Sequence, residues 1–105
     1  MEISKMQECA KEIRQLYQKH EQHEYGREWT DEEIAMGLVG DIGDLLKPIQ
    51  AKNGVRAISD VDQKLEHEIA DCLWSLLVLA DKYSIDIEQA FLSTMSELET
   101  RLGNS

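Results

Sequence analysis

The stretch that decides the fold of this chain is Ile69-Ala70-Asp71-Cys72-Leu73-Trp74-Ser75-Leu76-Leu77-Val78-Leu79-Ala80. Apolar side chains surround nearly the whole circumference of a helix with this sequence, so the helix must be covered on more than one side. A chain of 105 residues has little surface with which to do this alone. The stretch therefore predicts the central helix of an all-α bundle that is completed by oligomerisation.

Three other segments show the apolar period of helices, and the whole chain, residues 1–105, is predicted to be one domain. In the second helix, Thr30 and Glu33 form a capping box, and Pro48 is expected to weaken the last turn. The apolar face of this helix, predicted to be buried, comprises Ile34, Leu38, Ile42, Leu45 and Ile49. The four predicted helices span residues 3–23, 30–53, 61–83 and 86–102.

The composition limits the class of ligand. With 21 acidic and 11 basic residues the net charge is -10, which argues against DNA, RNA or an anionic membrane surface as the main partner. No apolar segment is long enough to span a bilayer, and the N-terminus does not have the pattern of a secretory signal. Cys9 and Cys72 lack metal-binding or disulfide spacing. We therefore expect a cytoplasmic protein with reduced thiols and a small ligand.

Two acidic pairs carry the functional information, Asp41-Ile42-Gly43-Asp44 and Glu68-Ile69-Ala70-Asp71. Residues three apart project from the same face of a helix, so two such pairs on packed helices place four carboxylates together. These would repel one another unless cations lay between them. Acidic pairs at this spacing are usually solvated helix faces, but these interrupt apolar segments, where an unpaired charge is costly. The pattern predicts a site for Mg²⁺, with Mn²⁺ as an alternative.

Two glycines, Gly40 and Gly43, lie in the helix that carries the first pair. Each costs roughly 1 kcal/mol of helix stability relative to alanine. Such a cost predicts close approach of another backbone or of a ligand.

These motifs resemble those of the MazG-like all-α nucleoside triphosphate pyrophosphohydrolases, a family that includes dCTP pyrophosphatases and relatives of dimeric dUTPases. Residues 38–45 resemble the first family motif, Glu68 to Asp71 the second, and the resemblance covers roughly residues 29–91. It implies hydrolysis of a nucleoside triphosphate to the monophosphate and pyrophosphate, through attack of Mg²⁺-activated water on the α-phosphorus. It also implies a role in removing unwanted nucleotides. The implied catalytic and metal-binding residues are Asp41, Asp44, Glu68 and Asp71.

The first motif departs from the family, which usually has glutamate at the positions of Asp41 and Asp44, so these side chains are one methylene shorter. The resemblance further implies that Trp29 lies near the base and that Lys52 meets a phosphate. The residues alone also allow a hydrophobic staple for Trp29 and a plain surface position for Lys52. The general base stays open among the four carboxylates and neighbours such as Glu66.

Other metal chemistries have weak support. His20 and His23 lack the spacing of zinc peptidases, and we interpret them as surface residues. Glu68 is followed at the third position by Asp71 and not by histidine, which argues against a di-iron site. The expected assembly is a homodimer or homotetramer. The alternative function is a non-catalytic helical module that binds metal or nucleotide through a degenerate site, or that binds another protein through its third helix.

Overall fold

A computed structural model describes residues 2–103, and this part of the chain forms four helices without a strand, which confirms the predicted all-α class. Asp86 caps the last helix as expected, because its Oδ1 accepts the Gln89 N–H at 3.2 Å. Among the described residues, no helix combines the length and apolar character that crossing a membrane requires. The helices are α1 (Ile3–Tyr25), α2 (Asp31–Lys52), α3 (Val61–Lys82) and α4 (Ile87–Gly103).

The most extensive helix contact is between α2 and α3. At one end of this pair, Lys82 Nζ lies 3.3 Å from Asp31 Oδ1, and at the other end Lys52 Nζ lies 2.8 Å from Asp62 Oδ1. Each pair joins the end of one helix to the start of the other, so α2 and α3 are antiparallel. Each charge also complements the dipole of its own helix terminus. This hairpin brings the middle of α2, with the first acidic pair, beside the middle of α3, with the second.

The core lies where α3 meets both α1 and α2. Helix α1 packs on α3 and contacts α4 to a smaller extent. No residue of α4 is buried. Three helices therefore contribute all of the buried apolar cluster found in residues 2–103, which comprises Ala10, Ile34, Leu77 and Val78.

A large apolar surface stays exposed on α2 and α3. Ile42 and Ile49, predicted to be buried, are 54% and 39% exposed, because only α3 covers α2 extensively. Ile69 and Leu76 on α3 are exposed to a similar degree. The radius of gyration is 16.8 Å, whereas a compact domain of this length has about 13 Å. The described chain therefore leaves α3 incompletely covered, as its sequence predicts, and the oligomer itself stays a prediction.

Hydrogen bonds hold the short connection between α1 and α2. Gly26 ends α1 in the left-handed conformation, with φ of 71°. The predicted capping box is present: Glu33 N–H donates to Thr30 Oγ1 at 3.2 Å, and Thr30 N–H donates to Glu33 Oε1 at 3.1 Å. The Arg27 guanidinium donates to both Glu33 oxygens, at 2.7 and 3.0 Å. Arg27, followed by the Thr30 N–H, lowers the pKa of Glu33 to about 2.

We expect Glu33→Gln to lower the melting temperature at pH 7, because it removes the charge that Arg27 and Thr30 bind. The pKa of Glu33 is lower in the folded chain than its ordinary value of 4.5. The charged form therefore stabilises the fold above about pH 4.5, and this contribution is lost as the pH falls towards 2. The difference in melting temperature between wild type and variant, followed by circular dichroism, should shrink between pH 7 and about pH 2.5. Glu32→Gln is the exposed neighbouring control, and a difference independent of pH would contradict the expectation.

Candidate functional site

An open cleft of about 470 Å³ lies among α1, α2 and α3. Carboxylates from two helices line it, Asp41 from α2 and Asp71 from α3. Aromatic side chains line another part of its wall. These aromatic side chains are Tyr17, Tyr25, Trp29 and Trp74. The cleft thus combines negative charge with flat apolar surface.

Two of the four predicted carboxylates meet in this cleft. The Ser75 hydroxyl donates to Asp41 Oδ2 over 3.4 Å, a long hydrogen bond that links α3 to α2. On α3, His67 Nε2 lies 3.1 Å from Asp71 Oδ2, one helical turn away. The hairpin therefore brings one member of each acidic pair to the same cleft, whereas the spacing predicts that all four carboxylates lie together.

The other two predicted carboxylates do not line the cleft. Asp44 is exposed on α2, where Lys47 Nζ lies 3.4 Å from its Oδ1. Glu68 is half-buried on α3. The structure thus brings Asp41 and Asp71 together, with Asp44 and Glu68 outside the cleft wall.

The thiol of Cys72, on α3 next to Asp71, is affected by the negative charge of the acidic residues. Burial raises its pKa, and the charges of Asp41, Glu68 and Asp71 raise it further. Three of the four carboxylates thus lie near enough to Cys72 to affect its thiol. Within residues 2–103, Asp41 and Glu68 have no cationic partner at ion-pair distance, so part of this negative charge is uncompensated.

The carboxylate donors suit a hard divalent cation, although they do not lie close enough together to share one. In the described part of the chain, no three His, Cys, Asp or Glu side chains lie close enough to hold a metal ion. Carboxylate oxygens are nevertheless the ligands that Mg²⁺ prefers, and uncompensated charge favours a cation. His67 contacts one oxygen of Asp71 and Lys47 one oxygen of Asp44, so the second oxygen of each carboxylate stays open to a metal ion. The predicted Mg²⁺ site therefore stays a prediction.

The two glycines beside the first acidic pair lie in open space. A Cβ built on Gly40 or Gly43 meets no heavy atom within 4 Å. No other backbone of residues 2–103 approaches them, and close approach of a second chain or of a ligand stays a prediction. A ligand or a second chain can still occupy this space.

The aromatic wall of the cleft is formed by α1, α3 and the segment before α2. The rings of Tyr17 and Trp74 have centroids 5.5 Å apart, and Trp74 Nε1 donates to the Ala10 carbonyl at 3.2 Å. Trp29 is 43% exposed and lines the same cleft. Trp74 thus packs against the core and also lines the cleft. Trp29 has an indole surface open to a ligand.

His20 and Lys52 differ in where they lie relative to the cleft. His20, which we interpreted as a plain surface residue, lines the cleft from α1. Lys52 pairs with Asp62 at the end of the hairpin and is outside the cleft lining. Its contact with a phosphate stays a prediction.

Sequence reasoning missed a buried ion pair on α1, although it lines the cleft. The guanidinium of Arg14 donates to both oxygens of Glu21 at 2.6 and 2.8 Å, and the Trp29 N–H donates to Glu21 Oε1 at 2.8 Å. Arg14 and then Trp29 lower the pKa of Glu21, against burial, which raises it. One signal could have revealed the pair: Ala10, Arg14, Tyr17 and Glu21 follow one another at intervals of four, three and four, the spacing of a single helix face.

Comparison with known proteins identifies the family. No curated protein and no solved structure matches the chain significantly. The sequence profile of the MazG nucleotide pyrophosphohydrolase domain matches residues 6–104, a range that contains both acidic motifs and every residue of the cleft. Because this match covers nearly the whole chain and agrees with its all-helical fold, the chain belongs to the MazG nucleotide pyrophosphohydrolase family.

Proposed function

We propose that the chain hydrolyses a nucleoside triphosphate to the monophosphate and pyrophosphate with the help of Mg²⁺. The observation that carries the proposal is the cleft in which Asp41 and Asp71, from two different helices, lie beside a wall of aromatic rings. Carboxylates suit the metal that accompanies a triphosphate, and an aromatic ring suits a base. Family membership supports the reaction type. The proposed biological role is the removal of unwanted nucleotides.

In this proposal, Asp41, Asp44, Glu68 and Asp71 hold the metal. Bound Mg²⁺ would supply neutralisation of phosphate charge and acidification of water. Ser75 would orient Asp41 through its hydroxyl. Asp71 and Asp44 would offer the metal the oxygens that do not contact His67 and Lys47.

The substrate would lie with its triphosphate towards the carboxylates and its base against Trp29, whose exposed indole lines the cleft. Lys52 would meet a phosphate only after leaving Asp62. The unpaired Cys9 and Cys72 support a reducing compartment, and we place the reaction in the cytoplasm.

The first test is incubation with Mg²⁺ and a panel of canonical and modified nucleoside triphosphates, with pyrophosphate and orthophosphate separated as products. We expect pyrophosphate, and we expect Asp71→Asn to reduce kcat by at least roughly 100-fold, because changes in the shell around a metal ligand already cost 10- to 100-fold. Asp81→Asn, on the exposed side of α3 outside the cleft, is the matched control and should retain activity. Orthophosphate as the product, or an active Asp71→Asn variant, would contradict the proposal.

A binding module without turnover is the second candidate. It is favoured by the lack, in residues 2–103, of three metal-ligating side chains close enough to share an ion, and by the contacts of Lys47 with Asp44 and of His67 with Asp71. Here the chain would keep the fold and bind metal or nucleotide without hydrolysing it.

The double substitution Asp41→Glu and Asp44→Glu distinguishes the two candidates. One added methylene on each side chain extends the reach of the carboxylates, so an enzyme should show a lower half-saturating Mg²⁺ concentration and a higher kcat, each by roughly threefold or more. The measurement is pyrophosphate release during a Mg²⁺ titration, with Asp81→Glu as control. Absence of turnover in both wild type and variant would favour the binding module.

We further propose that the chain forms a homodimer or homotetramer through the outer faces of its central hairpin. Val39 on α2 and Ile69 on α3 are 70% and 52% exposed, and apolar side chains on a surface of this extent are usually covered by a partner. A second copy would also use the open space at Gly40 and Gly43.

Light scattering coupled to size-exclusion chromatography tests the assembly. We expect the mass of a dimer or tetramer for the wild type, compared with 12.0 kDa for one chain. Val39→Glu combined with Ile69→Glu should shift the mass to that of the monomer, because it places charges at an apolar interface. Val55→Glu, in the exposed loop after α2, is the control. A monomeric wild type would refute the assembly.

A further inference from the structure

The segment that carries Trp29 is held at two successive peptide groups. The Trp29 N–H donates to Glu21 at 2.8 Å, and the Thr30 N–H donates to Glu33 at 3.1 Å. An arginine binds each of these carboxylates through two hydrogen bonds. The carboxylates of Glu21 and Glu33 therefore fix the direction of the backbone just before α2.

The two arginine–glutamate pairs differ in their surroundings. Arg27 and Glu33 are accessible to water, and their role in capping α2 explains them. Arg14 and Glu21 are only 5% and 3% exposed, and Arg14 Nε is buried without an acceptor. A buried ion pair is seldom more stabilising than apolar residues of the same volume. The stability of the fold is therefore a weak reason for placing this pair at the cleft wall.

We propose that Glu21, oriented by Arg14, is a positioning residue that fixes Trp29 at the cleft wall for contact with the nucleobase; this inference rests on the proposed function. Glu21 is almost fully buried, both of its oxygens accept from Arg14, and it acts through the Trp29 N–H. Because this bond is present without a substrate, the backbone that carries the indole is ordered in advance, and less freedom is lost on binding. The pair therefore affects KM and leaves kcat nearly unchanged.

Two double variants separate the acceptor from the charges. Arg14→Met with Glu21→Gln removes both charges and keeps an amide oxygen for the Trp29 N–H, whereas Arg14→Met with Glu21→Leu removes the acceptor as well. Relative to the glutamine variant, the leucine variant should raise KM for the triphosphate by roughly three- to tenfold, the range expected for one hydrogen bond, with kcat within about twofold. Glu24→Gln, at an exposed position of the same helix, is the control and should leave KM unchanged. Equal KM values in the two double variants would overturn the proposal.

A second readout needs no substrate. In chain labelled with 5-fluorotryptophan, the ¹⁹F resonance of Trp29 can be assigned with Trp29→Phe. We expect it to stay at the wild-type shift in the glutamine variant and to move towards that of a solvent-exposed tryptophan in the leucine variant, while the Trp74 resonance stays in place. An unchanged Trp29 resonance in the leucine variant would refute the positioning role.

The two readouts keep this proposal distinct from the proposed function. If Trp29 loses its fixed position in the leucine variant but the wild type hydrolyses no triphosphate, the proposed function fails while the positioning of Trp29 by Glu21 stands. If the wild type hydrolyses a triphosphate while KM and the Trp29 resonance are unaffected in the leucine variant, only the positioning role fails. Should a double variant not fold, Glu21→Asp keeps both charges, shortens the reach to the Trp29 N–H, and should produce the same two changes.

Discussion

The need to cover α3 is the constraint on which the rest of this structure depends. Its apolar side chains face several directions, so both α1 and α2 pack against it, and the buried cluster lies where these helices meet. The described helices still leave Ile69 and Leu76 about half exposed. Because apolar surface is unfavourable in water, the proposed assembly would complete the covering that the described helices begin.

The packing of α2 against α3 as an antiparallel hairpin also forms the candidate site. It places Asp41 and Asp71 on one cleft wall, while Lys47 and His67 pair with Asp44 and Asp71. Like charges that lie close together repel one another, and Lys47 offsets part of this repulsion at Asp44. In the proposed function, a divalent cation would supply the remaining compensation.

Helix α1 supplies the other half of the cleft. It carries Tyr17, which stacks obliquely on Trp74, and the buried Arg14–Glu21 pair that accepts the Trp29 N–H. The two walls of the cleft therefore differ in chemistry. The wall formed by α2 and α3 carries the carboxylates of Asp41 and Asp71, and most of the aromatic side chains lie on or next to α1. Such a division suits a ligand that is itself charged at one end and aromatic at the other.

The sequence by itself determined the helices, because apolar periodicity and the Thr30–Glu33 capping box are local properties of the chain. It also determined that the acidic motifs lie on helices at a spacing that aligns their side chains. Only the tertiary structure decided which residues share the cleft. Glu21 carries the same charge as its exposed neighbour Glu24, yet it is buried because Arg14 lies two turns away on the same face and Trp29 folds back onto it. Ile42 has a helical apolar spacing but is exposed, because periodicity defines a face of a helix and not the neighbour that covers it.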